Sequence, residues 1–490
     1  MAFCFGDGFD SYATMADPIA GYWDSGLGIS APWALVAGRF AGSQACQITG
    51  GSAALLVKSS GQNDAVHHIV CAFRQTAVLS GTSLTYYFQL SDGATNQCCI
   101  VFRSDGAILL TSATPAGTVL DTYTGAVTAA NTWFAFEFEI VINNTTGSWA
   151  VRKNGNTVND RALGSLNTRP GANNYANKLT FGVNVGINAI QLDDLLWRSD
   201  ASSVAWVGDI RCYTRMPASD AAVQFARAPV TTTVATNTFS TGAISTSTAR
   251  YSNLTVTYDG TISTARITLS AGYTGNMKCT IFASSGTAPT TVLGSATPIS
   301  NPATGNNSFT FSVPIAVIRG MELFVGFSSD TSSGTWSLSS GSTGFTSTTS
   351  YAAFPVASPT TIITSSVTCQ VTITPTNAGL VNEPLQDGTT SYVYSSNPTD
   401  ADFYTVAPLA GTPAAVIAVV TRGFLEKSDA GARGAAVQIK SGGTTVASTA
   451  TLLGTNFGWL YRTDVVDPAT GVAWTAAGVN NATIGPVVTS

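Results

Sequence analysis

The feature that most constrains this chain is a two-residue alternation. In WFAFEFEIVI (133–142) a bulky apolar side chain occupies every second position. An extended strand with that period carries Phe134, Phe136, Phe138 and Ile140 on one face and Trp133, Ala135, Glu137 and Glu139 on the other. A helix would scatter both sets around its circumference. Similar short runs recur roughly every ten residues, the spacing of a sandwich or barrel. They include LTYYFQL (84–90), NQCCIVF (96–102), KLTFGVNV (178–185) and AIQLDDLLWR (189–198). The turn formers SDG (91–93 and 104–106) and NNTTG (143–147) separate them. The best helical window, MPASDAAVQFA (216–226), is too short for a three-turn helix. The pattern predicts an all-β chain with under about 10% helix.

Composition bounds the function. At 490 residues and 44% apolar, the chain can bury two or three cores. Its net charge of −5, with only 10% charged residues, gives no electrostatic footprint for nucleic acid. The two histidines, His67 and His68, are adjacent, which argues against a Ser-His-Asp triad and a His-rich metal site. No apolar run approaches the roughly 18 residues of a membrane span. The opening, MAFCFGDGFDSYATMADP, is interrupted by Asp7 and Asp10 and lacks a basic start, so it predicts no signal peptide and folding in a cytoplasm. The eight cysteines form no CxxC pair and are expected mostly as small buried thiols.

Composition shifts near 229 and again near 376. Between these points Ser and Thr dominate and charge is scarce, yet LTVTY, TARITLSAGY, MKCTIFASS and SFTFSVPIAVI still read as strands. This segment is expected to be a β-sandwich of its own.

Several motifs resemble structural proteins of tailed bacteriophages, of the minor tail, tail-fibre or head-decoration kind. FGDGFDSYATMADPIAGYW (5–23) resembles the opening of a concanavalin-A-like jelly roll in that family, and IQLDDLLWRSD (190–200) resembles its closing strand. WVGDIRCYTRMPASD (206–220) resembles the family's Gly-Asp-(Ile/Val)-Arg strand, and DPATGVAWT (467–475) its Asp-Pro-X-Thr-Gly-X-X-Trp-Thr close. In the family an acidic segment and a Tyr-Val strand follow within about thirty residues; here VNEPLQDGTTSYVYS and DADFYTVAPL begin only at 381. The resemblance covers roughly 1–228 and 376–490. It implies a jelly roll over 1–203, a discontinuous β domain from 204–228 and 376–490, and an inserted β-sandwich at 229–375, since folded domains insert readily at exposed loops. The alternative is three sandwiches in a row with 204–228 as a linker.

Glu137 and Glu139 are the sharpest enzymatic candidates, because paired carboxylates on a sheet face can cleave glycosides. Concanavalin-like glucanases carry three alternating acids; here Ala135 stands where the first would be, so a solvated strand face is the expected reading. Asp7, Asp10, Asp193 and Asp194 raise the question of a Ca²⁺ site, but no Asp-X-Asp-X-Asp loop occurs and turn capping is the expectation. His67 and His68, one inward and one outward, are assigned no chemistry. Trp336, Phe345, Tyr351 and Phe354, set among Ser, Thr and Gly, are candidates for stacking on sugar rings, with core packing as the alternative. Trp474 is the candidate for docking on a particle.

These readings predict a non-enzymatic virion protein, made in the host cytoplasm. Its expected partners are tail, baseplate or capsid proteins and a host-surface glycan. It is expected to be a homo-oligomer with no cofactor, metal, nucleic acid or membrane span. A glucanase or depolymerase using Glu137 and Glu139, and a secreted adhesin, are the alternatives.

Overall fold

The structure is a computed structural model. It describes residues 3–490 apart from 13, 15–21, 28–32, 50–54, 78–79, 184–188, 228–229, 234–239, 247, 286–287, 333, 349, 356–360, 384–387, 390 and 410. The chain is all-β. Among the described residues the only helices are Asn377–Leu380 and Ala476–Asn481, so none is long and apolar enough to cross a membrane. The window at 216–226 is not helical: Pro217–Ala222 is a strand.

Two compact units divide the chain. The first comprises Met1–Met216, Pro384–Gly388 and Ser396–Ser490; the second comprises Pro217–Glu383 and Thr389–Ser395.

The first unit begins with a concanavalin-like jelly roll of two antiparallel sheets. One has eight strands in the order Arg161–Leu166, Gly147–Lys153, Phe134–Val141, Val66–Gln75, Ile190–Asp200, Gln44–Ile48 and Trp33–Ala37, with Phe3–Asp7 also paired to Ile190–Asp200. First and last strands are therefore neighbours, with Phe5 opposite Trp197. The other sheet has seven strands running from Val119–Tyr123 through Thr95–Arg103 and Ala176–Val183 to Ser25–Leu27. The alternation in 133–142 explains the core between the sheets. Phe134, Phe136, Phe138 and Ile140 all point into it, and Phe102 from the facing sheet meets Phe73 in a stacked pair at 4.2 Å.

The C-terminal part of this unit packs on the jelly roll. Strands Val419–Leu425 and Gly458–Asp464 form an antiparallel ribbon, and its Val420, Trp459 and Tyr461 lie against the jelly-roll core. Strands Phe403–Val406, Thr483–Val488, Gly434–Ser441 and Thr444–Ala447 pair in that order beside a smaller core of Ile439, Trp474 and Ala482. DPATGVAWT builds that core locally. Asp467 accepts from the Ala469 amide at 2.9 Å, Gly471 closes the turn at φ +70°, and Thr475 caps the helix Ala476–Asn481.

In the second unit, twelve strands form one hydrogen-bonded antiparallel sheet around a core that includes Ile262, Ile267, Cys279, Phe309, Val325, Trp336 and Val371. Alternation governs here too: strand Cys369–Pro375 buries every second residue, and Gln370, Thr372 and Thr374 lie on the wetter face. All eight cysteines are free; Cys212 is half-buried and the others are buried.

Candidate functional site

The outer face of the eight-stranded sheet carries Glu137 and Glu139, and it is not a solvated strand face. Glu137 is 2% exposed. Register aligns Glu139 with His68 on the neighbouring strand, and His68 sits between the two acids. Its Nδ1 lies 3.2 Å from Glu137 Oε1 and its Nε2 2.8 Å from Glu139 Oε2. Ionised carboxylates only accept hydrogen bonds, so this geometry calls for both imidazole nitrogens to donate. Burial by itself lowers the pKa of His68, but the hydrogen bonds to Glu137 and Glu139 outweigh it and raise the pKa above the ordinary value.

A segment from 204 to 212 lies over this face. Glu137 accepts from the Val207 amide on Oε1 and from the Gly208 amide on Oε2, each at 2.8 Å. Gly208 has φ +76°, a conformation that lets consecutive amides converge on one anion. Trp206 stands edge-on to His68 at 4.8 Å, and the Arg152 guanidinium lies 4.0 Å from its ring. Val207 and Ile210 pack on Cys4, Val70 and Leu196. Arg39 pairs with Asp209, and Asp194 accepts from the Cys212 amide at 2.7 Å. Both oxygens of Glu137 are thus occupied by the protein itself. A glycosidase acid needs an open face toward its substrate, and this carboxylate has none.

The other histidine is inert. His67 faces the core, stacks on Trp197, and meets the Asp64 carbonyl at 2.9 Å through Nε2. Burial pushes its pKa down to about 4, so it stays neutral.

Asp7 caps the opening turn, accepting from the Phe9 amide at 3.0 Å, Tyr12 Oη at 2.7 Å and Trp23 Nε1 at 2.8 Å. Asp193 accepts from the amides of Arg39 and Asp194, and Asp10 from that of Gln44. Among the described residues, no three His, Cys, Asp or Glu side chains are placed so that together they could hold a metal ion.

Three of the aromatic candidates are core residues. Trp336 is 1% exposed, opposite Leu269. Phe354 is 2% exposed and packs on Tyr251 and Phe282. Trp474 is 3% exposed and donates Nε1 to the Asp464 carbonyl at 2.9 Å. None of the three offers a free ring face, which corrects the expectation that Trp336 and Phe354 stack on sugars and that Trp474 docks the chain on a particle. Uncharged Ser/Thr surroundings misled at the first two, because the hydroxyls line the wet face of strands whose aromatics point inward. Tyr351 is half-buried, with Lys278 Nζ 4.3 Å from its ring centre. Phe345 belongs to strand Thr335–Thr348, and its side chain lies outside the described residues.

The Glu137–His68–Glu139 cluster and its cover are not evident from local sequence. The Val-Gly-Asp step at 207–209 is the one local signal, since a glycine after a strand can form an anion-holding turn. Its anion is remote in sequence.

No family model matches the chain. No curated protein matches it either. Solved structures do. A conserved carbohydrate esterase from Shiga toxin-encoding bacteriophage phi24B is 15% identical, covering 36% of this chain and 90% of its own, at a TM-score of 0.26. Arcelin-5, a lectin-like defence protein from Phaseolus vulgaris, is 11% identical over 41% of this chain and 99% of its own, at 0.27. Peanut lectin is 10% identical over 42% and 100%, at 0.26. At identities and scores this low, the fold stands on the sheets described above and not on these likenesses.

Proposed function

We propose that the chain is a non-catalytic structural protein of a tailed-bacteriophage particle that uses lectin-like β domains to meet a host-surface glycan. The observation that carries the non-catalytic part is Glu137, whose two oxygens are taken by His68 and by the Val207 and Gly208 amides. The particle assignment is supported by the resemblance of 5–23, 190–200, 206–220 and 467–475 to phage structural proteins. Its partners in this reading are other tail, baseplate or capsid proteins, and copies of itself. The glycan assignment is supported by the jelly-roll architecture. Among the four aromatics proposed for sugar contact, Tyr351 is the one described with part of its surface open. The division into a jelly roll at 1–203, a discontinuous domain at 204–228 and 376–490, and an insert at 229–375 belongs to the same proposal.

The test uses the full chain and a panel of bacterial surface polysaccharides. Binding without release of reducing ends is expected, unchanged in a Glu137→Gln, Glu139→Gln double variant and weakened in Tyr351→Ala. Chain cleavage that disappears in the double variant would favour the glucanase reading instead.

A further inference from the structure

The segment 204–212 is the last part of the first unit before the chain leaves it at Met216. It is held by side chains from several strands, and one of them is a histidine. We infer that Glu137, His68 and Glu139 form a proton-dependent clamp, which fastens residues 204–208 to the sheet while His68 is charged and loosens them once it is neutral.

The hydrogen-bonding capacity of the imidazole changes with its charge. A neutral imidazole has one donor nitrogen and one acceptor nitrogen. Between two carboxylates it satisfies one and turns a lone pair toward the other. A charged imidazole donates to both, at the 3.2 and 2.8 Å observed. Glu137 is the acid that also holds the Val207 and Gly208 amides, so losing its bond to His68 unbalances the group that fixes the segment. His68 touches the segment directly as well, through Trp206.

The charged and titratable neighbours come from every adjoining strand. Arg198 lies opposite His68 on strand Ile190–Asp200 and donates to the Ala205 carbonyl at 3.0 Å. Arg152 lies opposite Glu137 on strand Gly147–Lys153. Cys4 lies opposite Arg198 on strand Phe3–Asp7. His67 follows on the other face, and Asp209 is engaged by Arg39. Arg152 donates to Asn159 and lies over the Trp206 ring, so with Arg198 on Ala205 it is His68 that bridges the two acids. With His68 neutral, Arg152 and Arg198 remain, but nothing joins Glu137 to Glu139.

The sign follows from the raised pKa of His68. Stability from the clamp is fully present below the unfolded-state value near 6.5 and is lost as pH rises through the folded-state value. The segment therefore loosens on the alkaline side. Asp194, which holds the Cys212 amide, is a second titrating anchor of the same segment and must be told apart from His68.

Hydrogen exchange of the full chain, read on peptides covering 204–208 and 209–214 and corrected for the intrinsic pH dependence of exchange, separates the two. Protection at 204–208 should fall severalfold as the pH rises from about 6 to about 9, as the raised His68 imidazole loses its proton. His68→Gln should be poorly protected and flat with pH. Glu139→Gln, which leaves Glu137 and its amides in place, should move the loss to lower pH. Constant wild-type protection across this range would overturn the clamp. So would a pH dependence that persists in His68→Gln and begins at the Cys212 amide, since it would belong to Asp194.

Discussion

Arg422 donates through Nη1 to the hydroxyl of Tyr12 at 3.1 Å, joining two residues 410 positions apart. The same guanidinium donates to Ser11 at 2.7 Å through Nη2, lies 4.0 Å from the Asp7 carboxylate, and sits 4.5 Å from the centre of the Tyr22 ring. Lys58 makes a parallel contact, with Nζ bonded to the Tyr22 carbonyl at 2.5 Å, to Asp24 at 3.1 Å and to Tyr461 Oη at 2.8 Å. Two cations, Lys58 buried and Arg422 half-buried, thus tie the ribbon of Val419–Leu425 and Gly458–Asp464 to the start of the jelly roll.

Arg422→Met should therefore destabilise the first unit by about 3–5 kcal/mol, because it leaves the Asp7 carboxylate buried without its cation. Arg422→Lys should recover only part of this, since an ammonium cannot reach Tyr12 and Ser11 with two forked donors. Urea unfolding followed by tryptophan fluorescence measures both.

Trp474→Ala should act as a core truncation. A loss of about 3–5 kcal/mol is expected from the void and the forfeited contacts with Ile439 and Ala482. The melting temperature of the isolated chain should fall. A variant that melts as the wild type does would contradict the burial of this ring.

The Asp193–Asp194 pair predicts a second pH dependence. Burial pushes both carboxyls up from the usual range, and Asp193 pushes Asp194 further. A carboxyl whose folded pKa is raised stabilises the fold fully below about pH 4 and progressively less as pH climbs through its folded value. Asp194→Asn keeps an oxygen for the Cys212 amide and tolerates the left-handed backbone at φ +51°. It should stabilise the protein at pH 8 relative to wild type and do much less at pH 4, as read by thermal melts at both values.

Much of the fold was legible because alternation is a local property. The faces of strand 133–142 and the inward and outward histidines follow from short runs. What was hidden depends on partners distant in sequence. Glu137 looked solvated because its cover, 204–212, lies some seventy residues away. Trp474 read as a docking residue because its shelter is built partly from Ile439 and Val416, upstream of the closing segment. At Trp336 and Phe354, a polar composition concealed that the aromatics are the minority pointing inward.

Purified particles decide whether the chain is a virion component, as proposed. Phage particles produced from a genome carrying this gene should be banded on a density gradient, washed at high salt and assayed for the chain by mass spectrometry. A virion component bands with intact particles at a fixed copy number, and that is the expected result. Its recovery solely in the soluble fraction, with particles complete and infectious without it, would rule out the particle assignment.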